Sequence, residues 1–382
     1  MQRSWARQAL AGMSLEEKVG QMILARSSGS FLHERDPALM ELEGAVEEGR
    51  IGGVVFFKGE PYATAALANR LQLKAKLPLL MAADYEWGAA FRVKGATRFP
   101  SAMALGAGGK EEDVRFQAEV TAREARAMGI HLALAPVVDL NVNPANSVIN
   151  YRSFGEDPER VGRLAAAFIR RGQEVGLLTV AKHFPGHGAT SADSHLTLPV
   201  LSLSRKRLEE VELVPFRAAI EAGVAAVMPA HLAVPALDGR DDRPATFSRE
   251  ILGGVLRGQM GFTGLIVTDA LDMGGARERW WGGEVAVKAV LAGSDLLLLP
   301  SEPRVAWDAV RRAVRRGEIS RRQIDASVMR ILEAKARVNL HRQRTVDLRD
   351  LPRFVGDPRF RRRVQDIADR SVTLLSQRPG TL

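Results

Sequence analysis

Eight short apolar, β-branched runs punctuate this chain at intervals too long for hairpins and long enough for an intervening helix. They are "QMILA" (21–25), "GGVVFF" (52–57), "PLLMAAD" (78–84), "HLALAPVVDL" (131–140), "LLTVAKHF" (177–184), "AAVMPAH" (225–231), "GLIVTDA" (264–270) and "DLLLLP" (295–300). Near-continuous apolar runs of this length suit parallel strands covered on both faces. Between them lie amphipathic stretches such as "DPALMELEGAVEEG" (36–49), "ATAALANRLQLKA" (63–75), "EEDVRFQAEVTAREARAMG" (111–129) and "DPERVGRLAAAFIRRGQEVG" (157–176). Repeated βα units build a parallel sheet. An open doubly wound sheet usually stops at about five to seven strands, and no G-x-G-x-x-G follows any strand here. The expected fold is therefore α/β, a (β/α)8 TIM-type barrel over residues 1–338. Its last helix is expected at 320–338, with Ser320 as N-cap and Ile324, Val328, Ile331 and Leu332 on one face. Residues 339–382 fall outside the repeat and form a C-terminal extension. They are expected to be either a linker, with the strand-like "VTLL" leading towards a second domain of a longer chain, or a tail that packs back on the barrel.

Composition narrows the chemistry. The 382-residue chain has no cysteine, which excludes disulfides, iron–sulfur clusters and thiolate catalysis and leaves any metal to His, Asp and Glu. No run of about 18 apolar residues appears, so membrane insertion is not expected. The N-terminus lacks the apolar core of a signal peptide, which favours the cytoplasm, an exported protein with its signal removed being the alternative. The net charge of +9 gathers late, in "RRAVRRGEISRRQ" (311–323) and "RFRRR" (359–363). No aromatic residues interleave with these runs as stacking platforms, so they read as solvated helix faces and no nucleic-acid partner is expected.

In a (β/α)8 barrel the chemistry sits at the C-terminal ends of the strands. Asp84, Asp139, Lys182 with His183, His231 and Asp269 all stand there, in five of the eight runs. One such aspartate is ordinarily a cap; five strands ending this way are hard to assign to capping. The stretch "KHFPGHGATSADSH" (182–195) adds three of the seven histidines. His183 and His187 have the i, i+4 spacing of helical metal ligands, but Pro185 and Gly186 interrupt any helix there, and no metal or other cofactor is expected. Asp193 and His195 are two apart, so in an extended or turn segment the carboxylate can orient the imidazole as a general acid/base. Asp269 is the best-placed carboxylate to serve as nucleophile. The alternative is a loop Asp–His pair beside a capping aspartate.

Four motifs, "KHFPGHGATSADSH", "RSFGEDPE" (152–159), "PATFSREIL" (244–252) and "GFTGLIVTDALDM" (261–273), resemble glycoside hydrolase family 3 on its β-N-acetylglucosaminidase branch. The likeness extends over roughly residues 14–338. The resemblance implies a retaining exo-β-N-acetylglucosaminidase with Asp269 as nucleophile, a covalent glycosyl-aspartate intermediate, and Asp193 and His195 as an Asp–His acid/base. It places the terminal sugar on Asp84, Arg92, Arg152, Lys182 and His183, with Asp139, His187 and His231 in support. The loop departs from the family's D-x-E-G-G by carrying Trp87 in Asp84-Tyr85-Glu86-Trp87-Gly88, which bears on the aglycone.

The implied partner is a small carbohydrate, a peptidoglycan fragment or a chitooligosaccharide. Competing readings are a phosphorylase or β-glucosidase of the same fold, a metal-dependent hydrolase, and a non-catalytic sugar-binding protein. Two structural expectations follow. The donors of Lys182, His183 and Arg152 should be left unpaired without the 2-acetamido group, and the glycine-rich loop 186–192, with few apolar anchors, should be mobile when the sugar site is empty and deliver Asp193 and His195 only on closure.

Overall fold

The structure is a computed structural model that describes residues 2–191, 193–194, 196–277 and 279–377. The expected runs form eight parallel strands: β1 (Ile23–Gly29), β2 (Gly53–Gly59), β3 (Leu80–Ala83), β4 (Leu132–Ala133), β5 (Leu178–Phe184), β6 (Ala226–Pro229), β7 (Leu265–Ile266) and β8 (Leu297–Leu298). Neighbours in sequence are neighbours in the sheet, and β8 returns to pair with β1. A parallel bridge between Val267 and Leu296 joins the β7 and β8 ends and closes the barrel. Regular pairing at β4, β7 and β8 lasts only two residues, and single bridges extend it at Val137–Lys182 and Val267–Leu296.

Helix starts follow their caps. Asp36 accepts from the Ala38 and Leu39 amides with Pro37 in the first turn, and Asp157 accepts from Arg160 with Pro158 behind it. Ser320 caps helix Arg321–Arg337, which turns Ile324, Val328, Ile331 and Leu332 into the core with no exposed surface. Helix Pro303–Arg315 buries Ala306, Val310 and Ala313 and leaves its arginines outward, where Arg315 pairs with Glu16 at 2.6 Å. At the opposite pole from the barrel mouth, Asp295 braces the wall, taking Arg257 at 2.8 Å, Arg330 at 3.0 Å and the Ile266 amide at 2.9 Å.

Through Ser371 the extension packs against the barrel. Leu340, Leu351 and Ile367 are buried, the Gly356 amide bonds Glu124 at 2.8 Å, and Arg370 grips both oxygens of Asp113. Residues 372–377 take no regular structure, and Val372, Leu374 and Leu375 stand exposed. Among the described residues no helix is long and apolar enough to cross a membrane.

Candidate active site

The polar strand ends converge. Asp84 follows β3, Asp139 follows the extended segment after β4, Lys182 and His183 close β5, His231 follows β6 and Asp269 follows β7. Asp84, Lys182, His183 and Asp269, with Arg92 and Arg152, border a cavity of about 400 Å³, a volume suited to a sugar. One wall is aromatic: Trp87 meets Phe91 edge-on at 4.2 Å between ring centres and Tyr151 at 5.7 Å.

Below that wall lies an ionic cage that sequence reasoning did not find. The buried Glu86 accepts from Arg152 through both oxygens, at 2.8 and 2.9 Å, and pairs with the Lys182 ammonium at 2.8 Å. Lys182 also reaches Asp84 at 3.2 Å, and Arg92 holds the other oxygen of Asp84 at 2.5 Å. Burial would raise the Glu86 carboxyl, yet the charges of Lys182 and Arg152 hold it well below the usual range. Burial works against the Lys182 ammonium, which Glu86 and Asp84 keep above its ordinary value. The expectation that Lys182 and Arg152 await a sugar with unpaired donors is thus overturned: Glu86 and Asp84 satisfy them, because an unpaired cation in this setting would cost far more than the cage.

His183 is set by Asp139. One carboxylate oxygen accepts from the His183 amide at 3.0 Å and from ring Nδ1 at 2.7 Å, which leaves Nε2 towards the cavity and 3.5 Å from Arg152. Asp139 stays ionised: burial raises its carboxyl, and His183 and His187 more than offset this. The motif at 152–159 supports the same corner, since the Ser153 hydroxyl donates to the Asp139 carbonyl at 2.6 Å.

Asp269 borders the cavity and accepts from the Ala270 amide at 2.8 Å. Burial pushes its carboxyl up, but His183, His231, that amide and Lys182 together hold it below the usual aspartate value, so it presents a carboxylate. His231 supports it from behind. Its Nε2 lies 2.9 Å from the Ala270 carbonyl and must donate, while Nδ1 lies 2.9 Å from the Thr246 hydroxyl, which also reaches the Ala230 carbonyl at 3.0 Å; burial lowers the ring's pKa. Thr246 belongs to "PATFSREIL", which gives that motif its physical role.

Loop 186–191 is held by contacts other than apolar ones. His187 and Thr190 are buried, the His187 amide bonds Asp139 at 2.7 Å, and the Asn146 amide bonds the carbonyls of His187 and Gly188 at 2.9 and 3.2 Å. Gly188 lies so close to Leu140 that a Cβ would fall 1.5 Å from its carbonyl oxygen. The anchors are polar groups and a backbone approach, which a search for apolar side chains does not register. Asp193 is at the end of this loop, its carbonyl accepting from Leu196 and Thr197. His195 lies outside the described residues. Arg26, also unforeseen, pairs at 2.7 Å with Asp272 on the cavity border, and the Arg26 and Arg92 guanidiniums both lie over the Phe57 ring. Among the described residues no group of three or more His, Asp and Glu side chains could hold a metal ion.

Residues 14–334 match the glycosyl hydrolase family 3 N-terminal domain. The chain belongs to glycosyl hydrolase family 3. Over 99% of its length it is 34% identical to a β-N-acetylglucosaminidase/β-glucosidase of Cellulomonas fimi, of which it spans 67%. The family 3 β-N-acetylglucosaminidase structure from Paenibacillus sp. str. FPU-7 superposes with a TM-score of 0.89 at 38% identity, covering 97% of this chain and 71% of that one. A β-glucoside phosphorylase, BglX, bound to 2FGlc superposes at 0.93 with 29% identity, covering all of this chain and 69% of its own. This family 3 chain thus shares its barrel with proteins named for hydrolysis and for phosphorolysis.

Proposed function

We propose that the protein is a retaining exo-β-N-acetylglucosaminidase. The observation that carries this reading is Asp269, a carboxylate kept ionised on the cavity border beside a cage of Asp84, Glu86, Arg152 and Lys182 fit to hold a polar sugar. Asp269 attacks the anomeric carbon and the bond from that carbon to the aglycone oxygen breaks, while the Asp193–His195 pair donates a proton to the departing oxygen. In the second step the same pair takes a proton from water, water attacks the anomeric carbon, and the Asp269 ester bond breaks to release the sugar with retained configuration. A neutral imidazole base adds no negative charge near Asp269 at this step, unlike a second carboxylate.

The natural substrate is proposed to be a peptidoglycan fragment carrying terminal β-N-acetylglucosamine, with a chitooligosaccharide as the alternative; the net charge of +9 favours an acidic aglycone. Phosphorolysis is the second reading, favoured by the likeness to BglX. Both are tested by incubating the protein with matched nitrophenyl β-N-acetylglucosaminide and β-glucoside, with and without phosphate. Preferential release from the N-acetylglucosaminide with free sugar as product supports the proposal. A sugar 1-phosphate product makes it a phosphorylase, and equal kcat/KM on the two glycosides removes the N-acetylglucosamine assignment.

A further inference from the structure

Ser194 stands between Asp193 and His195 in the sequence and is almost wholly buried on the cavity border. It is held from two directions. Its hydroxyl lies 2.9 Å from His187 Nε2, and its carbonyl accepts from the Gly275 amide at 3.1 Å. Gly275 follows Asp269 in the short helix Gly274–Arg277, and only a glycine allows this approach: a Cβ there would fall 2.9 Å from the Ser194 carbonyl oxygen, 3.0 Å from that of Thr197 and 3.1 Å from the His231 Cβ. The backbone of Ser194 is therefore seated on the segment that follows Asp269.

The side-chain tether runs through the His187 ring. The Thr190 hydroxyl lies 2.9 Å from the His187 carbonyl and 2.8 Å from His187 Nδ1, and the Ser194 hydroxyl lies 2.9 Å from Nε2. A neutral ring donates at one nitrogen and accepts at the other, and each hydroxyl can take either role. Burial pulls the His187 pKa down against the opposing charge of Asp139, which keeps the ring in that neutral form. His187 is itself fixed, since Asp139 takes its amide with one oxygen while the other holds His183.

We infer that Ser194 and His187 are positioning residues for proton transfer: the Asp139–His187–Ser194 chain and the Gly275 contact set the acid/base segment against the segment that follows Asp269. The same aspartate thereby orients His183 in the cavity and, through His187, the segment that delivers the proton. This rests on the reading of Asp193 and His195 as the acid/base pair. Neither the Ser194 hydroxyl nor the His187 ring transfers a proton to substrate; loosening them misplaces the groups that do.

The test uses Ser194→Ala, His187→Leu and His187→Gln in the full chain, with thermal melts to confirm folding. For each, kcat/KM is measured on a β-N-acetylglucosaminyl disaccharide, whose leaving oxygen needs a proton, and on a dinitrophenyl β-N-acetylglucosaminide, whose leaving group departs unaided. Ser194→Ala and His187→Leu are expected to lose about tenfold or more on the disaccharide and less than about threefold on the aryl glycoside. His187→Gln, whose amide can donate or accept near the place of Nε2, is expected to recover most of the disaccharide rate. An active parent with equal losses on both substrates, with no loss, or with no difference between Leu and Gln at position 187 overturns the inference alone. A parent inactive on both substrates overturns the reading of the site, and this inference with it.

Discussion

A single carboxylate oxygen of Asp139 takes both the backbone amide of His183, at 3.0 Å, and its ring Nδ1, at 2.7 Å. The imidazole is thereby fixed in tautomer and direction before any sugar arrives. Asp139→Asn removes the charge that fixes Nδ1 as a donor, and if the amide oxygen keeps both His183 contacts its NH2 must face the His187 amide, which the other carboxylate oxygen accepts at 2.7 Å. It is expected to lower kcat/KM on a nitrophenyl β-N-acetylglucosaminide about 10- to 100-fold and to cost about 2 kcal/mol of stability. Steady-state kinetics and denaturant titration of the variant check this; parent-like values in both would mean the contact orients nothing.

Glu86 is expected to be as sensitive as any residue in the cavity. Its carboxylate compensates two buried cations, Lys182 and Arg152. In Glu86→Gln those charges lose the carboxylate they share and keep Asp84, with Asp139 near Arg152, and the loss should be about 3 kcal/mol of folding stability with KM raised about tenfold. Glu86→Asp should recover part of both. Unchanged stability in the glutamine variant would show that water replaces the carboxylate at little cost.

Lys335 supplies a pH test far from the cavity. Its ammonium is fully buried against the Gln21 side-chain oxygen at 2.6 Å and the Gly52 carbonyl at 2.9 Å, and burial, with Arg344 adding repulsion, pulls its pKa down to about 7. Between that value and the ordinary lysine range the unfolded chain binds the proton and the folded chain does not, so this group's contribution to stability rises with pH through that window and is at its worst below it. Lys335→Met is therefore expected to be more stable than the parent by about 1–4 kcal/mol at pH 6, with the gap narrowing from pH 7 to pH 9. A gap that is constant or widens with pH would contradict the assignment.

The barrel was legible because parallel strands buried on both faces leave apolar runs, and eight of them alternate with capped amphipathic helices. Asp84, Asp139, Lys182, His183, His231 and Asp269 could be picked out because they break those runs at the end where a barrel opens. Glu86 was not found, although it lies two residues from Asp84. Its importance comes from Arg152 and Lys182, which reach it from the segments after β4 and at the end of β5, and such long-range pairing leaves no local pattern. The same holds for Ser194, whose partners His187 and Gly275 lie on different segments. The anchors of loop 186–190 were missed for a related reason: polar groups such as Asn146 and the close approach of Gly188 to Leu140 carry no hydrophobic signature.

The central claim is that Asp269 forms and breaks the bond to the sugar. The direct measurement is kcat/KM on a nitrophenyl β-N-acetylglucosaminide for the parent and Asp269→Asn side by side, with a thermal melt of each. The amide keeps the shape of the carboxylate and its contact with the Ala270 amide but cannot form the glycosyl ester. The account predicts an active parent, a loss of at least about 1,000-fold in the variant, and a melting temperature close to the parent's. A folded Asp269→Asn protein that turns the glycoside over at near-parent rate would contradict it.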